Sequence, residues 1–306
     1  MAEEFFMNGG SLVEKNEWDT MISAIKASVS EDLKDKEKAI DAVSAALIQA
    51  VRERVSRVMA KEKFGIMFSG GVDSSLIALL AKNSGRPFTC YTVGFKNDFS
   101  KQPEDIDAAM AVAKLLDIEL KFVVLDLDES EELIKRTVKL LGPDLNNVVN
   151  VGVGSVELAC ADLAKKDNVK FLFSGLGSEE IFAGYERHKK AKDEQEECWK
   201  GLFNMYERDL LRDAAISSQT KVGFLTPFLD TEVIKAAMRS PGCMKLKGEH
   251  SKALLREVAE KLGLTKDVAW RKKRAAQYGS RLDKAIDKLA KKKGFEFKKD
   301  YLKSLN

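Results

Sequence analysis

The sequence predicts an α/β fold: a parallel, twisted sheet with helices on both faces, a helical N-terminal lead and a helical C-terminal region. Three observations predict it. Short apolar runs rich in β-branched and aromatic residues alternate with segments whose apolar residues recur every three or four positions, the pattern of βαβ units. Two of these runs stop at a Ser-Gly pair, Ser69-Gly70 and Ser174-Gly175, the punctuation of a strand-to-helix loop. Beyond Glu179 the helical period continues with no convincing strand. The 306 residues therefore divide into a helical extension, 1–60, and one larger domain, 61–306, whose sheet part is 61–178 and whose helical part is 179–306.

The elements follow in order. Residues 18–60 carry Met21, Ile22 and Ile25, then Ile40, Val43, Leu47, Val51 and Val55, at helical spacing and without Gly or Pro. Lys63 to Phe68 reads as a buried strand. Ser74 to Ala81 reads as a helix with serines placed to cap its start. Pro87 to Phe95 is a second strand, Asp105 to Leu116 a helix, Glu119 to Leu125 a third strand. Glu129 to Leu141 and Ser155 to Lys166 are helices, and Val169 to Phe173 is a fourth strand. All strands stand between helices, so a sheet buried on both faces is expected.

Composition sets the class. Hydrophobic residues are 44% and charged residues 32% of the chain, which suits a globular core with a charged surface and excludes disordered or fibrous proteins. No apolar run approaches 18 residues, so no membrane span is expected. The start lacks a basic stretch followed by an apolar one, so a cytoplasmic location is expected. Cys90, Cys160, Cys198 and Cys243 form no C-x-x-C pair, which argues against zinc or iron–sulfur sites. The net charge of +3 hides a split: residues 241–306 hold 19 Lys+Arg against 8 Asp+Glu, the remainder 32 against 40. Such a split fits a surface for phosphates or nucleic acid, or simply lysine-rich solvated helices. His188 and His250 are too far apart in sequence to suggest a triad or a histidine metal site, and His188 reads as a solvated helix residue.

The loop Ser69-Gly70-Gly71-Val72-Asp73-Ser74-Ser75 carries the sharpest chemistry. Two glycines let the backbone approach an anion, and the helix that follows turns its free N–H groups toward the same place. Serine hydroxyls add donors. A carboxylate beside a phosphate needs a divalent cation between them, so Asp73 reads as a Mg²⁺ ligand. No Gly-Lys-Ser/Thr follows, so this is not the Walker loop of kinases and GTPases. A second loop, Ser174-Gly175-Leu176-Gly177-Ser178-Glu179-Glu180, follows the fourth strand. Both loops fall at carboxyl ends of parallel strands, where such sheets bind ligands. Glu179 and Glu180 also suit a first helical turn for the dipole alone. Gly152-Val153-Gly154 before a helix is a weak cradle motif.

The first loop resembles the SGG-x-DSS pyrophosphate loop of the PP-loop, or N-type, ATP pyrophosphatases. SGLGSEEIFAGY at 174–185 resembles the SGEGSDE-[VIL]-F-G-G-Y loop of asparagine synthetases and the related β-lactam synthetases. Leu225-Thr226-Pro227-Phe228-Leu229-Asp230 resembles their R-x-PFLD element, Lys252-Ala253-Leu254-Leu255-Arg256 their K-x-x-LR helix, and Val268-Ala269-Trp270-Arg271-Lys272-Lys273 their V-x-x-R-x-K element. The resemblance spans about residues 55–285. It implies the adenine nucleotide alpha hydrolase-like (HUP) fold and an ATP-dependent, amide-forming ligase. Such an enzyme adenylates an aspartate-like carboxylate, releases pyrophosphate, then transfers ammonia or an amine with loss of AMP. It implies ATP and Mg²⁺ as cofactors. Phe68, Val93, Ser174 and Gly175 would contact the adenosine, largely through backbone. Ser69, Gly70, Gly71, Ser74 and Ser75 would hold the pyrophosphate, Asp73 and Glu179 the Mg²⁺. Lys273 would neutralise charge developing on the phosphates.

Three departures qualify these expectations. Leu176 stands where asparagine synthetases have Glu, and leucine accepts no proton, so Glu180 or Tyr185 would take that role or the nucleophile differs. Asn146 to Ser155 lacks the Arg expected for aspartate recognition, unless an Arg reaches in from elsewhere. Residue 2 is Ala, not the cysteine of the family's glutaminase domain, so ammonia, a separate glutaminase subunit or an amine on the second substrate would supply nitrogen. The alternatives are a PP-loop enzyme adenylating another substrate, such as a tRNA base or a metabolite, and a non-catalytic ATP-binding protein.

Overall fold

The computed structural model describes residues 4–97, 102–272 and 276–306. A small antiparallel hairpin, β1 (Met7–Asn8) and β2 (Ser11–Leu12), precedes two helices, α1 (Lys15–Ala27) and α2 (Lys36–Arg57). Most periodic residues of the lead are buried: Ile22 and Ile25 on α1, and Ile40, Val43, Leu47, Val51 and Val55 on α2, while Met21 is half-buried and Trp18, outside that period, is buried beside them. The hairpin left no trace in the hydrophobic period, because its strands are two residues long.

The sheet begins with β3 (Phe64–Met67), α3 (Val72–Lys82), β4 (Phe88–Phe95), α4 (Glu104–Leu116) and β5 (Leu120–Leu125). Next come α5 (Leu127–Leu145), α6 (Val148–Lys166) and β6 (Phe171–Phe173). The sheet has five strands, all parallel, in the order β5-β4-β3-β6-β7. The fifth, β7 (Gly223–Leu225), corrects the expectation that no strand follows Glu179. Three residues, Gly-Phe-Leu, give neither alternation nor β-branching to read.

Two further boundaries differ from the sequence reading. α5 runs past Leu141 but breaks at Gly142, whose φ of 68° leaves the helix and whose extended ψ of 179° suits the residue before Pro143. α6 starts at Val148, capped by the Asn147 side chain, which accepts from Val149 N and Asn150 N. Gly152 and Gly154 therefore lie inside a helix, not in a cradle. A Cβ on Gly152 would meet Gln277 Cβ at 2.9 Å, and one on Gly154 would meet Ile216 at 3.1 Å. They are close-packing positions.

The rest is helical. α7 (Ser178–Ile181), α8 (Glu186–Lys190) and α9 (Glu194–Met205) run into a π-helical turn, Tyr206–Leu210, and then α10 (Leu211–Thr220). After β7 come α11 (Thr231–Arg239), α12 (Ala253–Lys261), α13 (Lys266–Ala269), α14 (Ala276–Gly279), α15 (Leu282–Lys292) and α16 (Lys298–Lys303). One core joins α2 and α3 to Phe64, Ile66 and Phe173 of the sheet. A second joins Val93 and Phe95 to α5, α6 and α15. Both faces are thus covered, as a parallel sheet requires. No helix among the described residues is long and apolar enough to cross a membrane.

The lead is fastened by charge as well as by apolar packing. Arg54, 2% exposed, donates to both carboxylate oxygens of Glu4 at 2.9 and 2.6 Å and to Asp230 Oδ2 at 3.0 Å. Glu4 Oε1 also accepts from Thr226 N at 2.8 Å. Removing one partner leaves buried charge uncompensated. Arg54→Ala is therefore expected to cost about 3 kcal/mol or more, measured as a lowered midpoint in urea denaturation. An unchanged midpoint would mean that the lead docks by apolar contact alone.

Candidate active site

The carboxyl ends of β3, β4 and β6 open into one cleft of about 290 Å³. Phe68, Ser69, Asp73, Ser74, Val93, Ser174, Gly175 and Glu179, all singled out in the sequence, line it. Gly70, Gly71 and Ser75 belong to the same loop. Lys273 lies outside the described residues.

The β3 loop owes its shape to Gly70. Its φ is +65°, and a Cβ there would sit 2.7 Å from the Ala108 carbonyl on α4. The serines do not cap α3 as expected. Gly71 is the cap residue, with no side-chain cap bond. Ser74 Oγ instead accepts from Ser69 N at 3.3 Å and donates to Gly71 O at 3.3 Å. Ser75 Oγ is buried and has no hydrogen-bond partner among the described residues. A positive-φ glycine, an uncapped helix start and an orphaned hydroxyl in one loop suit an anion with several acceptor oxygens, as a triphosphate has.

The β6 loop lies against the first: a Cβ on Gly175 would be 3.1 Å from Asp73 Cβ. Gly184 has no side chain to displace Glu179, whose Oε2 would be 1.7 Å from a Cβ there. Between the loops stands Lys252. Its ammonium donates to Asp73 Oδ1 and Oδ2 at 2.8 and 2.9 Å and to Ser178 Oγ at 3.1 Å, and pairs with Glu179 Oε1 at 2.7 Å. Burial works against its charge, but Asp73 and Glu179 outweigh that and raise its pKa above the usual lysine value. The two carboxylates expected to hold Mg²⁺ thus converge on one cation-sized position, occupied by an ammonium. Among the described residues no group of three or more His, Cys, Asp or Glu side chains forms a metal site. Mg²⁺ characteristically takes one or two carboxylates and completes its shell with phosphate oxygens and water, and Asp73 with Glu179 fits that pattern.

Two arginines complete this side. Arg271 donates to Gly70 O at 3.2 Å and Ser69 O at 3.1 Å, strapping the C-terminal segment to the phosphate loop. Arg256 donates to Ser251 O, Ala269 O and Arg271 O, fixing that strap. Lys252, Arg256 and Arg271 were visible in the sequence as motif positions, but their spacing alone gave them no roles. They supply part of the C-terminal basic surplus.

Glu180 is 1% exposed and lies behind Tyr185, which lines the cleft and faces it. Burial, then the Asp209 charge, pushes the Glu180 carboxyl up to about 7, against the pull of Arg208. Arg208 pairs with both Glu180 and Asp209, and its guanidinium lies 5.3 Å from the Tyr185 ring centre. The π-helical turn delivers this pair, a distortion often found at functional sites. One turn on, Arg212 donates to Glu157 and Asp213 at 3.1 and 2.6 Å and to Asp209 at 3.3 Å. Arg187, Arg208 and Arg212 thus enter the cleft wall, although Asn146 to Ser155 has none. His188 is not solvated: fully buried, it accepts from Tyr185 N at 3.0 Å through Nδ1 and stacks on the Tyr185 ring. Burial, then Arg187, lowers its pKa to about 4, so it stays neutral. Leu176, half-buried, lines both this cleft and a neighbouring cavity of about 760 Å³ beside the N-terminal hairpin.

The sequence profile of the asparagine synthase family matches residues 42–200 and 188–296. A Methanocaldococcus jannaschii protein, provisionally named asparagine synthetase [glutamine-hydrolyzing] 1, is 32% identical over 86% of this chain and 54% of its own length. The Gallus gallus asparagine synthetase [glutamine-hydrolyzing] is 29% identical over 75% of this chain and 41% of its own. This chain therefore spans about half the length of these relatives. Among solved structures, the U34-tRNA thiolase NcsA from Methanococcus maripaludis overlaps 86% of this chain and 77% of its own, at 18% identity and a TM-score of 0.41.

Removing the ammonium leaves Asp73 and Glu179 facing each other. Lys252→Ala is expected to lose about 3 kcal/mol in urea denaturation. Millimolar Mg²⁺ should raise the variant's melting temperature and leave the wild type's nearly unmoved. Equal shifts in both would show that the two carboxylates do not take the cation.

Proposed function

Because the chain belongs to the asparagine synthase family, we propose that it is an ATP-dependent, AMP-forming ligase that adenylates a carboxylate and passes the acyl group to ammonia or an amine. One observation supports this reading: Lys252 bridges Asp73 of the β3 loop and Glu179 of the β6 loop, beside the uncapped start of α3. In the first step a carboxylate oxygen attacks the α-phosphorus of ATP. The bond from that phosphorus to the bridging oxygen breaks, and pyrophosphate leaves with the electron pair. The Ser69–Ser75 loop binds the departing phosphates. Mg²⁺, held by Asp73 and Glu179, would offset their charge when bound, and Lys273 is assigned to the same task. In the second step an amine lone pair attacks the acyl carbon, the C–O bond to AMP breaks, and AMP leaves. The amine loses a proton, which Glu180 accepts by way of Tyr185. Residues 61–306 form the catalytic domain in this reading and 1–60 its helical support.

Aspartate- and ammonia-dependent release of AMP and pyrophosphate is the test. ATP cleavage indifferent to aspartate would exclude the asparagine-forming version. Leu176 favours a second version in which an amine larger than ammonia is the nucleophile, and primary amines belong in the same assay. A base titrating near 7 works deprotonated, so kcat/KM should rise with pH through about 7. Glu180→Gln should flatten that limb and lower the rate by about 100-fold or more. A rising limb that survives in Glu180→Gln would assign the base elsewhere.

A further inference from the structure

We infer that Gln277 recognises the second substrate, its side-chain oxygen accepting a hydrogen bond from an ammonium group carried by the carboxylate that is adenylated. This rests on the adenylating function proposed above and names a recognition residue for it. Gln277 is 7% exposed, lines the cleft, and keeps Oε1 buried with no hydrogen-bond partner among the described residues. Native structures seldom leave a buried carbonyl oxygen unpaired, and such an atom in a binding cleft points to a donor that arrives with the ligand.

Its seat is built rather than incidental. A Cβ on Gly152 would come within 2.9 Å of Gln277 Cβ, and one on Gly279 would lie 2.2 Å from Asp105 Oδ2. Two glycines therefore let α14 press between α6 and α4. Phe95 N donates to Ser280 O at 2.7 Å, fixing the turn to the end of β4. The adjoining α6 wall brings Val149, Val153 and Val156 to the cleft, and its Glu157 is engaged by Arg212. Asp105 of α4, against Gly279, lines the cleft as well and adds negative charge that suits an ammonium. Gly152 also belongs to the 146–155 stretch that lacks an arginine. An uncharged acceptor standing there suits a substrate's ammonium rather than its carboxylate. The arginines that could meet a carboxylate enter from α8, the π-helical turn and α10.

The other donors in reach of such a cleft belong to ATP, its ribose hydroxyls and its adenine amino group, and one experiment separates them from the substrate's ammonium. Pyrophosphate release by the intact chain is measured with L-aspartate and with succinate, which is aspartate without its ammonium. The enzymes compared are wild type, Gln277→Met and Gln277→Glu. The wild type should favour aspartate over succinate at least tenfold in kcat/KM. Gln277→Met, which keeps length and loses the acceptor, should raise the KM for aspartate about 10- to 100-fold. It should erase the preference over succinate and leave the KM for ATP within twofold. Gln277→Glu, which keeps an acceptor oxygen, should recover most of the loss. Should Gln277→Met fail to fold, Gln277→Asn, which withdraws the amide by one methylene, reads the same KM split. A raised KM for ATP with aspartate unaffected, no change in either KM, or equal use of the two acids by the wild type would overturn the inference and leave the adenylating function standing. Wild-type inactivity with every carboxylate would overturn the function itself.

Discussion

The site depends on one shared charge. Asp73 comes from the loop after β3 and Glu179 from the loop after β6, and both are acidic in a crowded, half-dry cleft. Side by side they would repel, and the two loops could not lie in contact. The Lys252 ammonium, arriving from the start of α12, turns that repulsion into a three-way attraction. The chain accepts a left-handed backbone at Lys252, with φ of 56°, to deliver it. Strain of this kind persists only where the surroundings over-determine it, and here four side-chain contacts do so. Two loops over a hundred residues apart in sequence thereby become one surface.

Around this centre the remaining buried charges work as fasteners. Arg54 ties the N-terminal segment to the PFLD element through Glu4 and Asp230, and Glu4 reaches on to the backbone at the end of β7. Arg256 and Arg271 draw the segment after α13 over the phosphate loop. Arg212 gathers Glu157, Asp209 and Asp213 into one buried knot. These carboxylates outnumber their arginines, and burial raises the pKa of Glu157 well above the usual carboxylate range. Each fastener crosses between elements that the sheet hydrogen bonds do not connect.

Much of this was legible in the sequence, for a physical reason. Long amphipathic helices and strands bounded by Ser-Gly announce themselves by period and punctuation, so β3 to β6 and α1 to α4 were readable. The two loops were readable because glycines, serines and a carboxylate serve no apolar core. β7 was not, since three residues carry no period. The start of α6 was not, since Gly152 and Gly154 look like a turn until a neighbouring helix explains their missing side chains. His188 read as solvated because a single polar residue in a helix says nothing of what packs over it. Lys252 was quoted as a motif letter, but its task requires knowing that α12 starts where two loops meet, a fact of tertiary structure. Gln277 carried no signal, since an unpaired amide exists only relative to its surroundings.

Leu176 occupies the wall between two chambers, the cleft and the larger cavity beside the N-terminal hairpin. Among the described residues that line the cleft, it is the one that also lines the cavity. A change of side chain at 176 therefore alters two spaces at once. A position first notable for the proton it cannot accept also couples the reaction cleft to the ground beside the hairpin.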